Sequence, residues 1–395
     1  VSSVVKLLLF FVLAFSAQAE WRVAEPGWQY EFPRDHGNHP GFKTEWWYFT
    51  GNLVSADGRE FGYQLTFFRQ GIALDADIIP LSRFVTRDIK FAHFTLTDLV
   101  SKKFHFFQKL SRGAYGEAGF ADRVVEPMGT HTAQSEDRDA EGQHPPTSVP
   151  AGSPVVDLAW IDDWTCQLTG ANAFHLRAAK DNVAIDLRLT SAKPPVIHGT
   201  DGISQKAEGE GRASHYYSLT RLASEGIVRV GDTEFPVTGQ SWFDHEWATN
   251  QLAENQAGWD WFSLQFGDGS ELMLFQLRDK TGARDPFSSG TFVDAAGKST
   301  PIAAADFSLA PGERWKSTQT GGIYPIAWHL AIPKLRLSLD LRAALDDQEL
   351  RLKPIVYWEG AIRAQGSRSG KPLTATGYLE MTGYAGPITG MQAGK

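Results

Sequence analysis

The chain has one cysteine, Cys166, in 395 residues. That excludes an internal disulfide and any thiolate cluster for zinc or iron–sulfur. Positive charge is also short. There are 38 Lys and Arg against 46 Asp and Glu, for a formal net charge of −8. A protein that works by neutralising phosphates carries a basic stripe, so nucleic acid is not an expected partner. Helical i, i+3, i+4 periodicity is scarce. Beyond the N-terminal stretch no apolar run approaches the roughly 20 residues needed to span a bilayer. Aromatic residues, by contrast, are abundant: 25 Phe, 13 Trp and 10 Tyr. That much aromatic surface suits β-sheets and apolar or π-rich ligands. Hydrophobic content of 42% and charged content of 21% fit a globular protein. At roughly 100–200 residues per domain the length suggests two domains.

The N-terminus reads as a leader. Lys6 precedes the apolar run at residues 7–15, and Ala17 and Ala19 form an A-x-A cleavage pattern. The expectation is a signal peptide over residues 1–19, with export to the periplasm or secretion. The body alternates with a period of two. Phe61, Tyr63, Leu65 and Phe67 share one strand face, as do Val183, Ile185, Leu187 and Leu189. Leu335, Leu337, Leu339 and Leu341 repeat the pattern. Asp57-Gly58, Asp201-Gly202 and Asp268-Gly269 supply turn signals. Many short strands with Gly-rich turns indicate an all-β barrel or sandwich.

A weak repeat is visible. Trp46-Trp47-Tyr48-Phe49, then Asp57-Gly58, then a strand ending at Arg69, matches Trp259-Asp260-Trp261-Phe262, then Asp268-Gly269, then a strand ending at Arg278. An Asp-His pair lies upstream of each, Asp35-His36 and Asp244-His245. The repeat divides the chain into domains at 20–228 and 229–395. Residues 126–154, rich in Pro, Gly, Ser and charge and free of aromatics, are expected to form a flexible loop.

Several catalytic signatures fail. Gly297-Lys298-Ser299-Thr300 lacks the first glycine of a P-loop, because Phe292 stands in its place. Gly239-Gln240-Ser241-Trp242-Phe243 is not a nucleophile elbow, because Phe243 replaces the last glycine. No His-x-x-x-His occurs, and neither a metal nor another cofactor is expected.

The densest polar-aromatic cluster is Ser241-Trp242-Phe243-Asp244-His245-Glu246-Trp247, after a hairpin expected at residues 227–237. In a strand, Asp244 and Glu246 would share one face and His245 and Trp247 the other. Upstream lies His215-Tyr216-Tyr217-Ser218-Leu219-Thr220-Arg221. One reading is a pocket where a His or carboxylate moves protons beside aromatic faces. Those faces would shield a developing cation, at roughly 0.5–2 kcal/mol each. Protonating an alkene and trapping the cation with water needs that combination. The other reading makes Trp242, Phe243 and Trp247 core, with Asp244, His245 and Glu246 capping turns.

His39-Pro40-Gly41-Phe42-Lys43-Thr44-Glu45-Trp46-Trp47-Tyr48-Phe49-Thr50-Gly51-Asn52-Leu53 resembles the N-terminal motif of the AttH-like family, which includes the carotenoid 1,2-hydratases. The Tyr216 and Ser241 stretches, Tyr357-Trp358-Glu359-Gly360 and Gly377-Tyr378-Leu379-Glu380-Met381 are similar to it as well. The resemblance implies two consecutive lipocalin-like antiparallel β-barrel domains packed together, working without a cofactor. It implies catalytic roles for His245 and Trp247, with Asp244 as their motif neighbour. The Tyr and Asp that the hydratases carry farther on lack a full match, since Trp259-Asp260-Trp261 has an Asp but no Tyr. Trp46, Trp47, Tyr48, Tyr216, Tyr217, Trp242, Trp259 and Trp261 are the expected binding residues for a hydrophobic, isoprenoid- or lipid-like molecule. Two functions follow: a hydratase acting on a C=C bond, or a non-catalytic periplasmic binder serving an ABC-type exporter in the inner membrane.

Overall fold

The structure, a computed structural model, describes residues 20–74, 86–122, 124, 155–352 and 355–386. The leader and the loop expected at 126–154 lie outside the described residues. Strands dominate, as the alternation requires. The first thirteen are β1 (Thr44–Ser55), β2 (Glu60–Gly71), β3 (Asp88–Asp98), β4 (Lys103–Ser111), β5 (Ala118–Phe120), β6 (Val156–Ile161), β7 (Trp164–Gly170), β8 (Ala173–Lys180), β9 (Val183–Ser191), β10 (Val196–Ile197), β11 (Ser204–Gln205), β12 (Ala213–Val230) and β13 (Thr233–Ala248). They form one antiparallel sheet, in the order β4-β3-β2-β1-β13-β12-β9-β8-β7-β6-β5, with β10 and β11 added to β12. The sheet curls into a nearly closed barrel. Where its edges approach, Lys109 on β4 donates to the Ile161 carbonyl and pairs with Asp162 at 3.2 Å.

The remaining strands are β14 (Gln256–Phe266), β15 (Glu271–Asp279), β16 (Ser289–Val293), β17 (Ser299–Ala303), β18 (Ser308–Pro311), β19 (Arg314–Lys316), β20 (Ile323–Pro325), β21 (Ala327–Ile332), β22 (Leu337–Ala343), β23 (Glu349–Arg351), β24 (Val356–Arg368) and β25 (Lys371–Met381). They build a second sheet, β17-β16-β15-β14-β25-β24-β22-β21-β18 with β23 on β24, and a separate β19-β20 hairpin. Leu335, expected in a strand, sits in a 3₁₀ turn just before β22.

The sheets change between Ala248 and Gln256. The border expected at 228/229 therefore falls inside β12. The hairpin expected at 227–237 is the tip of the long β12–β13 hairpin, whose second strand pairs with β1 along the whole of β1. The two hairpins read as a repeat do occupy matching places. Gly58 and Gly269 turn them at φ 84° and 83°, a conformation glycine reaches without a Cβ clash. Each ends on an arginine buried against a carboxylate, Arg69 on Glu45 and Arg278 on Asp260.

Alternation sends Trp47, Phe49 and Leu53 of β1 into the first core. Phe262, Leu264 and Leu379 enter the second. The outward residues do not meet water. Tyr48, Tyr216 and Trp242 from the first sheet pack against Trp261, Met273, Phe275 and Tyr378 from the second. Gly62 lets β2 come close to β24: a Cβ there would lie 2.9 Å from that of Ala361.

One ion cluster fastens this seam. The Glu271 side chain is wholly buried and takes Lys193 at 2.7 Å and Arg221 at 2.5 Å, both from the first barrel's chain segment. Glu271→Gln strips both cations of their counter-charge. It is expected to lower stability by about 3 kcal/mol, read from urea unfolding. A loss well under 1 kcal/mol would mean that apolar packing and the other polar contacts across the seam, such as Arg363 on Glu60, hold the barrels together without this cluster.

Candidate functional site

Strand β13 splits the expected catalytic group. Phe243 and Trp247 face into the first barrel, together with His245, whereas Trp242 faces the seam with Asp244 and Glu246. On the seam side a cavity of about 100 Å³ lies between the barrels. A dry apolar cavity of about 150 Å³ takes a benzene-sized guest, so this one suits a compact segment of a ligand. Trp46, Tyr48, Tyr216, Asp244, Trp259 and Trp261 line it, as do Lys206, Glu246 and Glu380. Phe68, Leu252, Phe275 and Leu277 complete its apolar wall.

Three donors converge on Asp244. The Tyr216 hydroxyl reaches Oδ2 at 2.7 Å, Trp242 Nε1 reaches Oδ1 at 2.6 Å, and the Ser218 hydroxyl also donates to Oδ1. Burial nevertheless pushes this carboxyl up to about 7, against the pull of those donors. Behind Ser218 stands His198, whose Nε2 lies 2.7 Å from the Ser218 hydroxyl and whose Nδ1 lies 2.9 Å from that of Thr291. Burial lowers His198 to about 3, so the ring is neutral. If Thr291 donates to Nδ1, the Nε2 proton points to Ser218, and all these hydrogens run toward Asp244.

Across the cavity Glu380 accepts from Trp259 Nε1 at 2.7 Å. Burial raises it, too, to about 7. Trp261 Nε1 donates to the Tyr216 hydroxyl at 3.0 Å. Lys206 sits 3.3 Å from Glu246 and 4.0 Å from the Phe275 ring centre. Burial lowers its ammonium, with Glu246 opposing. The cavity thus offers two carboxyls poised between protonation states, aromatic faces and one ion pair.

The inward face is different. Glu45 Oε1 lies 2.7 Å from His39 Nδ1 and 3.0 Å from His245 Nε2, while Arg69 holds Oε2 at 3.2 Å. Burial would raise Glu45, but His39, His245 and Arg69 outweigh it and hold the carboxyl well below its usual range. Burial would lower His39, but Glu45 and Asp35 outweigh it and raise the imidazole. The Trp247 ring stacks on His39 with centroids 3.7 Å apart and planes within 5°. Its face therefore covers an imidazole whose charged form Glu45 and Asp35 favour. His245 is lowered by burial despite Glu45, and its Nδ1 faces the Asp35 carbonyl at 2.9 Å. The Tyr217 hydroxyl lies 2.7 Å from His36, and Trp47 Nε1 donates to the His36 carbonyl. Among the described residues, His39, Glu45 and His245 are the one group with metal-ligand atoms gathered within 4.8 Å. Their mutual hydrogen bonds and the two cations on Glu45 describe a closed, charge-balanced cluster.

Of the residues read from the sequence, Asp244, Trp46, Tyr48, Tyr216, Trp259 and Trp261 come together at the cavity, with Trp242 behind Asp244. His245, Trp247, Trp47 and Tyr217 gather in the first barrel. Lys206 and Glu380 are not among the expected site residues. Glu380 shares a strand face with Tyr378, so alternation applied to β25 could have found it. Lys206 lies between β11 and β12 with no pattern around it.

Two lipocalin-like barrels packed around an acid- and aromatic-lined cavity define the class of protein. Residues 23–384 match the AttH-like family, and the chain belongs to it. An AttH-type protein from Nitrosomonas europaea is 30% identical over 92% of this chain and 99% of its own, with a TM-score of 0.75. Kievitone hydratase from Nectria haematococca is similar in fold at 14% identity, covering 93% and 98% of the two chains with a TM-score of 0.62. CghA is similar at 12% identity over 96% and 98%, with a TM-score of 0.51. No curated protein matches the sequence.

Asp244 carries a sign-definite pH signature. Its folded value of about 7 lies above the ordinary 3.8. Its contribution to stability is therefore complete below about pH 4 and lost as pH rises through about 7. In Asp244→Asn that loss disappears, so thermal melts are expected to show the variant gaining on the native chain as pH rises from about 4 to about 8. An offset that does not change with pH would mean that Asp244 is ionised throughout. His245→Ala removes a buried partner of Glu45 and leaves a hole. It is expected to cost about 2–4 kcal/mol in urea unfolding, and full retention of stability would refute a structural role for His245.

Proposed function

We propose that the cavity between the barrels binds the unsaturated end of a hydrophobic, isoprenoid- or lipid-like molecule and adds water across its C=C bond. The observation that carries this reading is a carboxyl, Asp244, poised near neutral pH on the wall of a small aromatic cavity. One protein of similar fold is itself a hydratase, kievitone hydratase.

In the proposed reaction the proton starts on Asp244 Oδ2. The Tyr216 hydroxyl, 2.7 Å away, turns to accept it while passing its own proton to one alkene carbon. The cation left on the other carbon faces Trp46, Trp259 and Trp261, each face contributing about 0.5–2 kcal/mol. Water forms the new C–O bond and loses a proton to ionised Glu380. Asp244 ends ionised and Glu380 protonated, and proton exchange with solvent restores both. Space of about 100 Å³ fits one end of such a molecule rather than a whole carotenoid.

A second reading, a binder without turnover, is favoured by the three donors that already occupy Asp244. Export through residues 1–19 and hand-over of cargo to an ABC-type exporter go with that reading and rest on the sequence alone.

The test is mass spectrometry of solvent extracts from native protein and Asp244→Asn, each purified from the native host without detergent. The hydratase reading expects the variant to accumulate a ligand lighter by one water. Identical ligands in both would leave the binder. Turnover, once a substrate is known, is expected to peak near neutral pH, because the acid must be protonated and the base ionised.

A further inference from the structure

Behind the Glu380 wall lies a second polar region that the proposed reaction does not use. Glu359 on β24 stands directly opposite Glu380 on β25 in the strand register. Side chains so paired lie about 4.5–5.5 Å apart at Cβ, and like charges there repel. Both residues face the seam, and Glu359 has no exposed surface. Among the described residues no lysine, arginine or histidine forms an ion pair with either carboxyl. The nearby cation, Lys206, is engaged by Glu246.

Six buried polar atoms here lack a hydrogen bond: both Glu359 oxygens, the hydroxyls of Tyr48, Tyr378 and Thr95, and Gln64 Oε1. They come from both barrels. The hydroxyls of Tyr48 and Tyr357 approach Glu359, that of Tyr378 approaches Thr95 and Thr97, and Gln64 approaches Tyr357, none of them in full hydrogen-bond geometry. Tyr357 is held from behind by His93 Nδ1 at 2.6 Å, and Gln108 Nε2 lies 3.4 Å from His93 Nε2. Burial keeps His93 neutral, lowered to about 3. Buried polar groups in folded proteins are almost always paired, with protein or with ordered water. A cluster of orphans from two barrels therefore marks a place built for small polar guests.

We propose that Glu359 and Glu380 form a carboxyl dyad holding one shared proton, with Glu359 as the neutral inner member in a chamber that binds ordered water. Tyr48 and Glu380 belong to the cavity wall as well, so this polar cluster adjoins the ligand site. The groups facing the dyad leave it anionic at most once. Glu380 feels Asp244 and Glu246 across the cavity and accepts from Trp259. Glu359 meets Glu380 and phenols, and burial raises it well above the usual carboxylate range. The assignment holds whether the cavity turns over its ligand or only binds it.

Infrared spectra of the full chain, recorded across a pH series for the native protein, Glu359→Gln and Glu380→Gln, test this. Native protein is expected to keep a buried protonated-carboxyl band at about pH 9, where Asp244 and Glu380, both raised only to about 7, are ionised. Glu359→Gln is expected to lose it. Glu380→Gln is expected to keep it but titrate it at a pH lower by about one unit or more, because the like-charged neighbour is gone. A crystal structure of the native protein is expected to show water bonded to Glu359 and Tyr378. A band that survives in Glu359→Gln, an unmoved midpoint in Glu380→Gln, or a chamber without water would each overturn the proposal. Should Glu359→Gln fail to fold, Glu380→Gln and the native crystal structure still decide it.

Discussion

Strand β13 has no solvent face over its last residues, and the rest of the site depends on that constraint. One side closes the first barrel's core and the other closes the seam. A two-residue period then forces neighbours in sequence into separate surroundings. Asp244 and His245 are adjacent in the chain but belong to different clusters, one beside a cavity and the other sealed inside a barrel. The same rule acts on β1, where Trp46 and Tyr48 line the cavity while Trp47 enters the core.

Burial alone does not decide what these carboxyls do. Glu45 and Asp244 are both sequestered from water. Glu45 has Arg69 and the raised His39 beside it and stays ionised. Asp244 has only neutral donors and is raised. The difference is counter-charge, since desolvation penalises the charged form in both places. The first barrel's cluster is paired charge by charge, and the seam's is not.

The seam also explains why a small cavity can carry so much polar function. Each barrel satisfies its own core, so the faces turned toward each other are free to bring different groups. The first sheet brings Asp244, Glu246 and Tyr216, and the second brings Glu380, Trp259 and Trp261. Glu271, bound by Lys193 and Arg221, ties the second sheet to the first barrel's segment of the chain.

Much of this is legible in the amino-acid order alone. Alternation shows the strands, and Asp-Gly pairs mark the hairpin turns at Gly58 and Gly269. Aromatic order points to two related halves, and the opposite faces of Asp244 and His245 follow from strand geometry. The border between the sheets is not legible, because a turn inside a long hairpin and a turn between domains look alike in one dimension. Lys206 and Glu359 are silent for a similar reason. Their meaning comes from residues far along the chain, and sequence carries periodicity within a strand but not the partner across a seam. The sequence by itself determined an all-β, aromatic, disulfide-free chain and the faces of its strands. Only the tertiary structure decided which faces meet, and therefore which buried carboxyls have a counter-ion beside them and which have only neutral donors.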